Sequence, residues 1–309
     1  VTSILIEPHQ LAQILAGDAA DGTIVVDATV ELASPQFDGD HRSESGRAGW
    51  VAGRIPGSQH LDLLHEFSDE SAGYHFAHPQ VDHALAVLRS LGVTDQSQVV
   101  VYDQGNGFWS ARLWWSLRAL GLDAQVLNGG LQAWREAGLR VDSGTDGATR
   151  GPSTTPLTLT PRPEAWATVD DVLAVVQGTS DETLVCALGA DQFYATAPTR
   201  YARRGHIPTS VNLPARDLSS KSDGTTSAEQ ALAGALPVLG SPGLSVDQTE
   251  DVTGATSTGR GVLLYCGGGI SASYAALGLT IAGYRRVRVY DGSLEEWSAN
   301  PALPLASNS

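Results

Sequence analysis

The chain has 309 residues, 42% of them hydrophobic and 17% charged, enough for two globular domains of ordinary size. Its net charge of −15 argues against nucleic acid or an anionic membrane as a partner, and an anionic ligand would need a local positive field. No apolar run approaches the ~18 residues needed to cross a bilayer, and two cysteines make no disulfide framework, so a reducing cytoplasm is the expected compartment.

From the N-terminus, Val1 to Ala16 lacks the basic start of a secretory leader, and a helix is expected over 8–16. A strand follows at 23–27, then a helix at 80–91, a strand at 98–102 and a helix at 109–120. A strand at 124–128 and a helix at 130–137 complete the set. Short β-branched runs alternating with helical patterns imply an α/β fold of parallel strands and crossover helices. Val141 to Pro163, rich in Gly, Ser, Thr and Pro, reads as a linker, and the same elements begin again near residue 168. The expected organisation is a first domain over 1–143, a linker over 144–163 and a second domain over 164–309. Ser219 to Arg260 interrupts the second copy, with a short helix expected around Ala228 to Leu236 and mobility over much of the rest.

The second copy is a repeat of the first. Val99-Val100-Val101-Tyr102-Asp103 matches Val262-Leu263-Leu264-Tyr265-Cys266. Val126 to Trp134 matches Val289 to Trp297 at the same offset of 163 residues, which reads as an alignment without a gap. Upstream, Gly53-Arg54-Ile55-Pro56-Gly57-Ser58 pairs with Gly205-His206-Ile207-Pro208-Thr209-Ser210, and Ile24 to Ala28 pairs with Thr183 to Ala187. Four matches in one order mark a tandem duplication.

Cys266 ends the apolar run Gly261 to Tyr265, which reads as a buried strand. Gly267, Gly268, Gly269, Ile270 and Ser271 follow, then a helical stretch from Ala272 to Gly283. A strand, a glycine loop and a helix N-terminus bring backbone N–H groups and the positive end of a helix dipole to the sulfur, and both favour thiolate over thiol. Cys266 is therefore read as a nucleophile, against the plainer alternative of a small buried cysteine. A Cys-based phosphatase would need an arginine six residues further on, where Ala272 stands, and no Walker-type Gly-Lys-Ser/Thr occurs. The loop suits one polarisable anionic sulfur better than a phosphate.

The Cys266 loop, the Gly205-His206-Ile207-Pro208 turn, Trp114-Trp115, the two Gly-x-Leu-x-x-Trp segments and a first copy without the cysteine together resemble the two-domain rhodanese family. That family comprises thiosulfate and 3-mercaptopyruvate sulfurtransferases. The resemblance implies two tandem rhodanese-like domains, each a parallel sheet flanked by helices, with the second catalytic. The first keeps the fold with Asp103 at the cysteine position and supplies one wall of the cleft. It also implies transfer of a sulfane sulfur through a Cys266 persulfide, from thiosulfate or 3-mercaptopyruvate to a thiol or cyanide acceptor. Gly267 to Ser271 and Arg200 then form the substrate site, and neither metal nor organic cofactor is needed.

This sequence departs from the family pattern at several positions. Gly267 and Gly268 stand where thiosulfate-type members carry basic residues, and Gly268 where mercaptopyruvate-type members carry a serine. Gln192 replaces an arginine, and Cys186 stands where the first copy has Asp27. Of the cluster Arg200, Arg203 and Arg204, Arg200 is read as an anion clamp and at least one of the others as a solvated loop residue with partial ion pairing to neighbouring carboxylates. Cys186 is read as a small core residue, His75 and His78 as surface residues, and Trp109 as the tryptophan most apt to face the cleft. Asp103→Asn is expected to leave persulfide formation nearly untouched. Two function classes remain: an enzyme transferring sulfur through Cys266, or a degenerate rhodanese that carries persulfide or binds a partner without efficient turnover of small donors.

Overall fold

The computed structural model describes residues 3–144, 155–219, 225–239 and 261–307. The chain divides into two compact units, Val1–Ala33 with Arg42–Pro163, and Ser34–His41 with Glu164–Ser309. The excursion 34–41 thus leaves the first unit between two of its strands and belongs to the second.

The first unit contains strands β1 (Leu5–Ile6), β2 (Thr23–Asp27), β3 (Val30–Leu32), β4 (Ser43–Ser45), β5 (Gln59–His60), β6 (Gln98–Tyr102) and β7 (Ala124–Leu127). Its helices are α1 (Pro8–Ala16), α2 (Arg47–Ala52), α3 (Val81–Ser90), α4 (Phe108–Ala119) and α5 (Gly130–Glu136). Five strands form a parallel sheet in the order β1-β7-β6-β2-β5, while β3 and β4 pair antiparallel apart from it. In β6 the run Val99 to Tyr102 is buried without alternation, as expected of a parallel strand covered on both faces. Helix α4 is buried almost all round, including Trp109, Trp114 and Trp115, so it presents no polar face to water. Trp109 packs edge-on to Phe76 inside this unit, with ring centroids 5.1 Å apart. Leu11, Val100 and Leu131 meet in one core cluster, and each such side chain contributes about 1.5–3 kcal/mol by its burial.

The second unit contains β8 (Trp166–Ala167), β9 (Thr183–Cys186), β10 (Val211–Asn212), β11 (Val262–Tyr265) and β12 (Val287–Tyr290). Its helices are α6 (Val169–Val176), α7 (Ala190–Phe193), α8 (Ala228–Leu239), α9 (Ile270–Ile281) and α10 (Ser293–Ala299). Its sheet runs β8-β12-β11-β9-β10, all parallel, which is the first sheet strand for strand. The registers agree as well: Asp27 lies opposite Tyr102 and His60, and Cys186 lies opposite Tyr265 and Asn212. Helix α6 opens on a capping box in which Thr168 accepts from the Asp171 N–H and Asp171 reaches back to Thr168.

The repeated turn has a physical reason. In the first unit the Tyr102 hydroxyl meets Ser58 Oγ at 2.9 Å and accepts the Ile55 N–H at 3.4 Å. In the second, Tyr265 meets Ser210 Oγ at 2.8 Å and accepts the Ile207 N–H at 2.9 Å. Each strand-end tyrosine thus braces the turn that feeds the edge strand. Gly205 takes φ 124°, and any side chain there would overlap the Ala306 carbonyl, so this turn requires glycine.

The constant offset of 163 conceals two compensating shifts. Helix α4 caps on Gly107, four residues after Asp103, whereas α9 caps on Gly269, three after Cys266. The second unit regains the residue after its helix, where Tyr284-Arg285-Arg286 precedes β12 against Leu122-Asp123 before β7. The alignment is therefore not gapless; the nucleophile loop is one residue tighter than its counterpart.

Residues 155–163 pack back on the first unit: Thr160 donates to the Leu120 carbonyl at 3.0 Å and the Asp95 N–H to that of Pro156 at 3.0 Å. The expected linker residues 145–154, and 220–224 and 240–260 of the second stretch, lie outside the described residues. Helix α8 continues past Leu236 to Leu239 and packs on α9. No helix among the described residues is long and apolar enough to cross a membrane.

Candidate active site

The first unit displays the loop with an anion already in it. Asp103 is fully buried at the end of β6. Its Oδ1 accepts the N–H groups of Gly105 and Gly107 at 3.0 Å each, and its Oδ2 those of Trp109 and Ser110 at 3.0 Å each. Gly107 takes φ 84°, and this left-handed residue turns the chain so that the free N–H groups of the α4 N-terminus face the carboxylate. Helix dipole and backbone donors thus act on one point.

The second unit builds the same loop around Cys266. The thiol side chain is 2% exposed at the end of β11, and Gly269, at φ 81°, caps α9 as Gly107 caps α4. Counted from the cap, Gly269, Ser271 and Ala272 correspond to the donors Gly107, Trp109 and Ser110. Among the residues expected to bind substrate, Gly267, Gly269 and Ile270 are buried, and Gly268 and Ser271 are half-buried. Ser293 holds the base of the loop: its Oγ accepts the Cys266 N–H at 3.1 Å and donates to the Tyr290 carbonyl at 2.8 Å. The Leu294 N–H donates to the Cys266 carbonyl at 3.1 Å, and the Glu295 N–H to that of Gly267 at 2.9 Å. Ser293 adopts φ 49° where its repeat counterpart Gly130 adopts 57°. The Gly-to-Ser exchange between the copies was the signal for this residue, and the sequence reading passed over it.

The three arginines part company. Arg203 donates to the carbonyls of Trp297, Ser298, Asn300 and Leu303 and so ties its loop to the end of α10. Arg204 pairs with Asp38 at 2.9 Å, an exposed contact within the second unit. Arg200 instead lies near enough to the Tyr201 phenol to act on it electrostatically. Sequence reasoning missed Tyr201. Its hydroxyl lies directly on Gly267, where a Cβ would overlap it. Burial pushes its phenol well up, the Cys266 sulfur and Glu295 add to this, and Arg200 opposes it. At neutral pH it is a proton-bearing donor.

The family scan then decides the kinship: the Rhodanese-like domain matches residues 7–137 and again 195–300. The chain belongs to the rhodanese family. A Mycobacterium tuberculosis protein named as a candidate thiosulfate sulfurtransferase, SseB, is 30% identical over 306 residues, covering 98% of this chain and 96% of its own. A 3-mercaptopyruvate sulfurtransferase of Escherichia coli is 28% identical over 259 residues, covering 83% of this chain and 84% of its own. The crystal structure of Escherichia coli SseA, described as a 3-mercaptopyruvate sulfurtransferase with the rhodanese fold, superposes with a TM-score of 0.73 at 25% identity, covering 94% of this chain and 99% of that one.

In this member of the family Cys186 sits in the core at 0% exposure, and burial pushes its thiol up to about 12. Its ionised fraction near pH 8 is on the order of 10⁻⁴, which leaves it inert as a nucleophile. Iodoacetamide near neutral pH is expected to label Cys266 and spare Cys186 in the native protein, as peptide mapping would read. Equal labelling of both would contradict the loop geometry. His206 is likewise structural, stacked on Phe193 at 3.8 Å with its Nδ1 2.9 Å from the Phe193 carbonyl oxygen.

Proposed function

We propose that the protein is a sulfurtransferase that carries a sulfane sulfur on Cys266. The observation behind this reading is the Asp103 carboxylate held by four backbone N–H groups at the repeat position of Cys266. A carboxylate oxygen stands two bonds beyond Cβ, as the outer sulfur of a cysteine persulfide does, and both are anionic. A loop of similar construction around Cys266 suits a terminal persulfide, as an oxyanion hole suits oxygen.

In the first half-reaction the Cys266 thiolate attacks the sulfane sulfur of the donor. A new S–S bond forms, and the donor's own bond to that sulfur breaks with its electron pair. Thiosulfate leaves as sulfite; 3-mercaptopyruvate leaves as the enolate of pyruvate, which takes up a proton. A thiolate or cyanide then attacks the outer sulfur and returns the electron pair to Cys266, a double displacement.

Of the two donors, 3-mercaptopyruvate fits this chain better. With Gly267 and Gly268 next to the sulfur, a compact dianion lacks a basic side chain there. A longer donor can give its carboxylate to Arg200, for which a guanidinium is well shaped. One charge-assisted hydrogen bond is worth roughly 1.5–3 kcal/mol, or about 10- to 100-fold in specificity. The expected result is a higher kcat/KM with 3-mercaptopyruvate, and a loss of about that size in Arg200→Ala that exceeds the loss with thiosulfate. Mass spectrometry tests the first step: one sulfur gained on Cys266 and removed by cyanide. No adduct with either donor overturns the transfer, and a thiosulfate preference unmoved by Arg200→Ala overturns the donor assignment.

A further inference from the structure

The loop that carries Arg200 and Tyr201 is fixed from both sides within the second unit. On one side the Thr199 N–H donates to Asp38 at 3.1 Å, the Gly39 N–H donates to the Thr199 carbonyl at 2.8 Å, and Arg204 pairs with Asp38. On the other, Arg203 is fixed by four carbonyl groups around the end of α10. Tyr201 lies between these anchors, its own N–H 3.3 Å from Thr199 Oγ1. A half-buried phenol is thereby presented to the nucleophile loop from a fixed stretch of backbone.

Its position answers the question that Gly267 raises. The residue directly after a nucleophile at a strand end projects into the space beside the sulfur. Here that space is already filled, because any Cβ on residue 267 would overlap the Tyr201 hydroxyl and crowd its ring. The Arg200 guanidinium acts electrostatically on the phenol, and the hydroxyl keeps its own proton for donation. A neutral O–H donor beside one guanidinium, with the Glu295 carboxylate also acting on the phenol, offers at most a single positive charge and a fan of donors. That set matches the planar, singly charged end of an organic acid. A doubly charged inorganic anion would be left short of positive charge in an acidic protein.

We infer that Tyr201 is the specificity-determining residue of this site, standing in from a neighbouring loop for the side chain that Gly267 lacks and, with Arg200, selecting a monoanionic α-keto or carboxylate thiol as sulfur donor. This rests on the reading of Cys266 as the sulfur-accepting nucleophile, and deepens it by naming what chooses the donor. It also makes a structural demand: residue 267 can gain a side chain only if the Tyr201 phenol moves aside.

The test uses the full chain, with 3-mercaptopyruvate and thiosulfate as donors and cyanide as acceptor. Tyr201→Phe keeps the ring and removes the O–H, so kcat/KM for 3-mercaptopyruvate should fall about 10- to 100-fold while that for thiosulfate changes little. Gly267→Arg should lose activity with both donors, because the arginine meets the phenol. Adding Tyr201→Ala to Gly267→Arg frees the space, and thiosulfate use should then rise at least about 10-fold above the single variant. Equal losses with both donors in Tyr201→Phe overturn the assignment, and so does a double variant no better with thiosulfate than Gly267→Arg. The cyanide-reversible sulfur on Cys266 separates the two levels. If the unmodified protein gains none, the transfer reading falls and takes this one with it. If it gains sulfur and the donor ratio ignores Tyr201, only the tyrosine assignment falls.

Discussion

Cys266→Ser is expected to fold like the parent protein and to take up no sulfur from either donor. The replaced atom is buried, at 2% exposure, and a hydroxyl is close to a thiol in size, so the packing around β11 and α9 changes little. The chemistry changes entirely: the alcohol keeps its proton at neutral pH, and a weakly nucleophilic oxygen is a poor sulfur acceptor. Cys186 offers no rescue, since it is sealed in the core with its thiol pushed up to about 12. Turnover should therefore drop to the uncatalysed level, and intact-mass analysis after donor treatment should find no cyanide-labile adduct. The circular dichroism and the urea midpoint should match the parent. Parental turnover in Cys266→Ser would remove Cys266 from the mechanism.

How far the chain could be read depended on whether a feature was carried by neighbouring residues. Strand β6 is a continuous Val-Val-Val-Tyr run, long enough to declare itself, and helix α4, expected at 109–120, forms at Phe108–Ala119. The duplication was visible because Tyr102 and Tyr265 do the same work for the same turn. The two-residue strands β1, β5, β8 and β10 went unseen, being too short to express a period. The compensating shifts were hidden because the offset is equal on both sides of them. Asp38 and Tyr201 were invisible for another reason. Asp38 lies in the first half of the sequence but joins the second unit, and Tyr201 matters only through its contact with Gly267, far along the chain. A glycine beside a nucleophile reads as an absence in sequence; in the fold it is room for another residue.

The second large effect is expected in Asp103→Asn, and it falls on stability where the sequence alone suggested near silence. Sulfur uptake at Cys266, counted per folded molecule, should stay close to the parent, because Asp103 is a buried structural group of the first unit. Folding is a different matter. The carboxylate receives four N–H bonds, two on each oxygen, all at 3.0 Å. Asparagine keeps its carbonyl oxygen for the buried N–H groups of Trp109 and Ser110 and turns its NH₂ group toward those of Gly105 and Gly107, so two part-buried donors lose their acceptor and face a donor instead. A buried group left unsatisfied costs about 1–3 kcal/mol, and this pair nearer solvent sits at the low end, so the exchange costs about 2 kcal/mol. A typical domain is stable by only about 5–15 kcal/mol, so this is a large share of what holds the first unit together. The loss of negative charge at the α4 N-terminus adds to it in the same direction. Urea unfolding should show the first unit melting at a clearly lower midpoint, with the second unit's transition little changed. A midpoint equal to the parent's would mean that the loop does not depend on an anion, and would weaken the parallel drawn between Asp103 and a persulfide on Cys266.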